Sequence, residues 1–129
     1  MQKILVVDDD QDLSGIIKSV LEYEGYTVFV ANDAQKGINI AEEQSPNLIL
    51  LDIVMPGMDG SEAVSVLKSK ESTKDIPVVF LTGLMSDEDE NSGVDGINIG
   101  GVYHQALAKP FENVQLIELV KKSLQQIGN

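Results

Sequence analysis

Four short runs in this 129-residue chain are apolar without alternating: Ile4–Val7, Val28–Ala31, Leu48–Leu51 and Val78–Leu81. A strand with one face in water alternates apolar and polar residues. An unbroken Val/Ile/Leu run of this length is what a strand covered on both faces needs. A fifth candidate, around Tyr103–Ala108, is more polar, as an edge strand can be.

Helical spacing fills the intervals. Leu13, Ile16, Ile17, Val20 and Leu21 predict one buried stripe, closed by Gly25 as a C-terminal cap before Tyr26 turns into the second strand. A second helix follows Asp33, with Ala34, Ile38 and Ala41 inward, and ends before Pro46. A third follows Gly60, with Ala63, Val64 and Leu67 inward. The last runs from about Glu112 to Ile127 on Leu116, Ile117, Val120 and Leu124, with Lys121 and Lys122 late, where the helix dipole favours cations. Strand and helix thus alternate five times without a linker or repeat. That pattern predicts one doubly wound α/β domain over residues 1–129, a five-stranded parallel sheet with helices on both faces. Right-handed crossovers bring every strand's C-terminal end to one edge, and ligands of open α/β sheets bind there.

Composition narrows the function classes. There are no cysteines, so disulfides and thiolate metal sites are excluded. The net charge of −12, from 21 acids against 9 bases, argues against direct nucleic-acid binding. It favours basic partner patches, and cation binding wherever acids converge. No apolar run approaches the roughly 20 residues of a membrane helix and no signal-peptide pattern opens the chain, so a cytoplasmic protein without membrane contact is expected.

The strand ends carry the chemistry. The first ends in Asp8-Asp9, the third in Asp52, the fourth in Thr82, and the fifth is followed by Lys109-Pro110. In a sheet of order 2-1-3-4-5 these four ends surround one pocket. Three carboxylates suit a hard cation, Mg²⁺ or its substitute Mn²⁺. An ammonium beside such a cation makes sense only with an anion between them, and a phosphoryl group fits that gap. Asp10 and Asp12 lie where the first helix begins and read as N-terminal helix acids.

The segments "ILVVDDD", "LILLDIVMPGMDG", "VVFLTG" and "LAKPF" together resemble the receiver domain of two-component response regulators over nearly the whole chain. The 2-1-3-4-5 order of this flavodoxin-like (βα)5 fold comes with the resemblance. So does the mechanism: a sensor histidine kinase, a phosphotransfer protein or a small phosphodonor phosphorylates Asp52. Mg²⁺ would be held by Asp9 and Asp52, by Asp8 directly or through water, and by the Val54 carbonyl. Lys109 would pair with one phosphoryl oxygen and Thr82 with another. Thr82 would then bias the surface made by the fourth helix, fifth strand and last helix toward an unknown downstream protein target. The resemblance also implies a cis Lys109–Pro110 peptide.

Two departures matter. The position three before the lysine, often Tyr or Phe in relatives, is Ala106. Either the switch is muted, or Tyr103 or His104 takes that space. The stretch from Thr82 to Lys109 is longer than in relatives by roughly a helical turn. Its glycines at 93, 96, 100 and 101 disfavour a long fourth helix, at about 1 kcal/mol each against alanine. A short helix after Ser86, then irregular chain, is expected. Val54 and Leu84, apolar beside the acceptor, predict a long-lived phosphoryl group. Met55-Pro56, Gly57 and Gly60 read as turn residues, Tyr23 and Tyr26 as packing residues, and His104 as structural.

Three other readings compete. A degenerate receiver used only for protein interaction would not need the full set Asp8, Asp9, Asp52, Thr82 and Lys109. A phosphatase of the haloacid dehalogenase type would want an acid at position 54, where Val54 stands. A flavin-phosphate binder would be repelled by "VVDDD". The 129 residues leave no room for an output domain, so a stand-alone regulator and a receiver cut from a longer chain are both open.

Overall fold

A computed structural model describes residues 2–53, 57–58, 60–82, 96–99 and 102–125. The elements are β1 (Lys3–Val7), α1 (Gln11–Tyr23), β2 (Thr27–Ala31), α2 (Ala34–Gln44), β3 (Leu48–Asp52), α3 (Gly60–Ser69), β4 (Val78–Thr82), β5 (Gly96–Ile99), β6 (Val102–Ala108) and α4 (Asn113–Gln125). The sheet order is β2-β1-β3-β4-β6-β5. Its five parallel strands, β6 being the fifth, take the expected 2-1-3-4-5 arrangement.

Three of the four apolar runs, in β1, β3 and β4, are buried on both faces, which is why they need not alternate; in the edge strand β2, Phe29 is half-buried and Val30 is exposed. One core layer packs Leu5, Val7, Ile49, Leu51 and Phe80 against α2 and α3. The other packs Ile4, Val6, Leu48, Leu50 and Leu81 against α1 and α4. Successive residues of each strand thus feed opposite layers.

The helix ends follow local chemistry. Asp10 and Asp33 are the N-caps of α1 and α2, accepting from the amides of Leu13 (3.1 Å) and Lys36 (2.8 Å). Gly25, at φ +99°, closes α1. Its amide donates to the Glu22 carbonyl and that of Tyr26 to the Leu21 carbonyl, the paired bonds of a Schellman cap. Ser45 does the same work for α2 from the left-handed region, at φ 47°. Gly57 has φ +84°, as a turn glycine should.

Several expectations need correction. Ile16, assigned to the inward stripe of α1, is 55% exposed, and Tyr23 is 90% exposed rather than packed. The buried line of α1 is Ser14, Ile17 and Leu21. At about 100° per residue, Ile16 and Tyr23 lie more than about 120° round the helix from its centre. Gly60 is not a turn residue. It opens α3, where a Cβ would stand 2.8 Å from Ile53 Cα and 3.0 Å from the Asp52 carbonyl.

Residues 96–99, expected to be irregular, form β5, which pairs antiparallel with β6 from Gly96↔Gln105 to Ile99↔Val102. Backbone pairing to a neighbouring strand outweighed the glycine content, since every ladder bond satisfies a group that would otherwise need water. The expected turn at Met55-Pro56 and the short helix after Ser86 lie outside the described residues.

Candidate phosphoryl-acceptor site

Each acidic side chain is delivered by the end of a strand. The last bond between β2 and the β1 end, Asp8 amide to Ala31 carbonyl (3.1 Å), fixes where β1 stops. Asp52 is the final residue of β3, in register with Leu81 of β4. Thr82 ends β4, in register with Ala108, and its carbonyl accepts from the Lys109 amide at 2.8 Å. The Lys109–Pro110 peptide is cis, as the resemblance implies. The expected residues therefore meet at one edge.

One carboxylate oxygen from each of Asp8, Asp9 and Asp52 lies within 4.8 Å of the others. Asp8 is fully buried and Asp52 is 6% exposed, whereas Asp9 faces solvent. Lys109 Nζ lies 2.7 Å from Asp8 Oδ2 and 3.5 Å from Asp52 Oδ2. Burial works against the lysine's charge. The hydrogen bond and charge of Asp8, then those of Asp52, outweigh it and raise the Lys109 pKa above its ordinary 10.5.

Asp8 is held at every polar atom. Its Oδ1 accepts the Asp10 amide at 2.9 Å, its Oδ2 takes Lys109, and its carbonyl accepts the Ser14 hydroxyl at 3.3 Å. Ser14 was not singled out from the sequence. The available signal was a polar residue on the inward line of α1, three positions before Ile17. Val54 and Leu84 lie outside the described residues, so the Val54 carbonyl and the apolar shield are not placed.

The donor set fits a divalent cation. Three carboxylates face one ammonium, so negative charge is left over, and every donor is a hard oxygen. Carboxylates this close repel one another, and a bound cation relieves that repulsion.

At the switch position, Ala106 is buried in the layer containing Phe80, its register partner on β4. Gln105 lies on the opposite face, where its side-chain oxygen accepts the Ser123 hydroxyl at 2.9 Å. The side chains of Tyr103 and His104 lie outside the described residues, so neither is placed in the space beside Ala106.

Comparison with known proteins gives one family. The profile of the response regulator receiver domain matches residues 4–121. CpxR, a transcriptional regulatory protein of Escherichia coli K12, is 35% identical over 126 residues, covering 98% of this chain and 50% of its own. YkoG, an uncharacterised transcriptional regulatory protein of Bacillus subtilis, is 34% identical, covering 97% and 52%. The chain spans about half the length of these curated relatives. Among solved structures, the Vibrio cholerae chemotaxis protein CheY4 superposes with a TM-score of 0.81 at 27% identity, over 95% of this chain and 98% of that one.

Proposed function

The chain belongs to the response regulator receiver domain family, and from that premise we propose that residues 1–129 act as one phospho-acceptor domain of a two-component system, with Asp52 as the acceptor. The observation that carries this is Lys109, whose ammonium spans buried carboxylates from two different strands at 2.7 and 3.5 Å. An ammonium so placed meets a phosphoryl group arriving at Asp52 from one side, with the Asp9 carboxylate exposed nearby.

A carboxylate is a weak nucleophile, so transfer depends on positioning and charge neutralisation. An Asp52 oxygen forms a bond to phosphorus as the donor's N–P bond breaks, the electron pair staying on the imidazole nitrogen. With a small acyl phosphate the breaking bond is O–P. Asp9 and Asp52 would hold Mg²⁺, or Mn²⁺ in its place, and Asp8 would act through water because both its oxygens already accept protein donors. Bound there, the cation would supply positive charge to the phosphoryl oxygens. Lys109 would turn from Asp52 to a phosphoryl oxygen while keeping Asp8. Thr82, buried at the end of β4, would donate its hydroxyl to another oxygen and carry the chain after β4 with it.

The phosphodonor in this proposal is a sensor histidine kinase or a phosphotransfer protein, and the downstream target is another protein. Incubating the protein with acetyl phosphate and Mg²⁺ and measuring its intact mass tests the reading. One phosphoryl adduct that is lost in Asp52→Asn is expected. No adduct with any donor would instead favour a degenerate interaction module.

A further inference from the structure

The hydroxyl of Ser14 stands apart from the reacting groups, yet it is tied to them. Ser14 is 1% exposed on the inward line of α1, and its Oγ donates to the main-chain carbonyl of Asp8. The same α1 terminus reaches Asp8 a second time. Asp10 caps the helix through the Leu13 amide, its carbonyl accepts the Ser14 amide at 3.0 Å, and its own amide donates to Asp8 Oδ1. Asp8 is therefore clamped between β2, α1 and Lys109. Of these contacts, the Ser14 hydroxyl is the one supplied by a side chain outside the acidic cluster and its lysine.

We propose that Ser14 is a positioning residue for the metal-binding carboxylates, its hydroxyl fixing the Asp8 main chain and hence the path that carries Asp9 and Asp10. The inference deepens the phospho-acceptor reading and rests on it. A buried hydroxyl that loses its acceptor, or an acceptor that loses its donor, is penalised inside a protein. The carbonyl of Asp8 left without this bond would let the Asp8–Asp10 segment shift, and with it the exposed carboxylate of Asp9. The effect falls on cation affinity, because Asp52 ends β3 and the Lys109 main chain is held by the Thr82 carbonyl, and neither depends on Ser14.

The local space permits a clean test. Ser14 lines a groove of about 640 Å³ between α1 and α2, together with Gly15, Val30, Ala31 and Ile40. Ser14→Thr and Ser14→Val have the same shape and differ in the hydroxyl, so packing and helix propensity are matched closely between them. Mg²⁺ affinity is read by titration calorimetry on the unphosphorylated protein, with thermal stability as the folding control. The expected result is that Ser14→Val binds Mg²⁺ several-fold more weakly than wild type while Ser14→Thr stays close to it. At saturating Mg²⁺ the two variants should accept phosphoryl from acetyl phosphate at similar rates. Equal Mg²⁺ affinity in Thr and Val variants overturns the role of the hydroxyl and leaves the phospho-acceptor reading intact. Wild type that neither binds Mg²⁺ nor takes phosphoryl overturns that reading, and this inference with it.

Discussion

The Lys109 ammonium stands between the carboxylates of Asp8 and Asp52, at 2.7 and 3.5 Å. Replacing the lysine by methionine keeps the stem but removes the ammonium that both buried carboxylates face. Breaking such a pair from one side costs about 3 kcal/mol, so Lys109→Met should lower the denaturation midpoint markedly. Adding Asp52→Asn should recover part of the loss. The pH dependence follows from the raised pKa of Lys109. Its folded value exceeds the unfolded one, so its contribution is fully present below pH 10.5 and fades as pH rises through the folded value. The stability gap between wild type and Lys109→Met should therefore narrow in strongly alkaline buffer and stay constant near neutrality. A gap that widens above that range would contradict the assignment.

The elements show how much of this could be read beforehand. The parallel strands, the acids that open α1 and the Gly25 cap were legible from local signals: an apolar run, acids before a helical period, a glycine after it. The meeting of Asp8, Asp9, Asp52, Thr82 and Lys109 was legible only with the 2-1-3-4-5 order, which came with the family resemblance. Strand β5 was not legible, because its stability comes from pairing with β6, a contact that four residues of "GINI" do not announce. The exposed side of α1 was misread for a different reason. Ile16 fits a helical period by spacing, yet the helix is rotated so that Ser14 packs inward. Propensity and spacing do not report which part of a wide apolar arc faces inward. Gly60 was visible as a glycine but its purpose was not, since the constraint is the backbone of Ile53 across space. Gly60→Ala should destabilise the fold by about 2 kcal/mol, as overpacking against rigid backbone does. A chemical denaturation curve overlapping wild type would show that α3 can retreat. Asp10→Ala, which removes the α1 cap, should cost about 1 kcal/mol by the same measurement.

For the molecule as a whole, charge and ligand binding are coupled. A chain of net charge −12 with an acidic cluster at its functional edge gains stability from any cation that binds the folded form alone. Mg²⁺ at a hundred times its dissociation constant should add about 2.7 kcal/mol. The melting temperature should therefore climb with Mg²⁺, and the response should shrink in Asp9→Asn, which removes an exposed ligand with little effect on packing. An equal rise in both proteins would mean that Mg²⁺ acts by screening surface charge and not at this site.

In the proposed chemistry the Asp52 carboxylate takes the phosphoryl group. Reducing the phosphorylated protein with borohydride converts an aspartyl phosphate to homoserine, and peptide mapping then reports which residue was modified. Homoserine is expected at position 52 and nowhere else, dependent on Mg²⁺. Homoserine at another acid of the cluster, or none in protein that carries the phosphoryl mass, would contradict it.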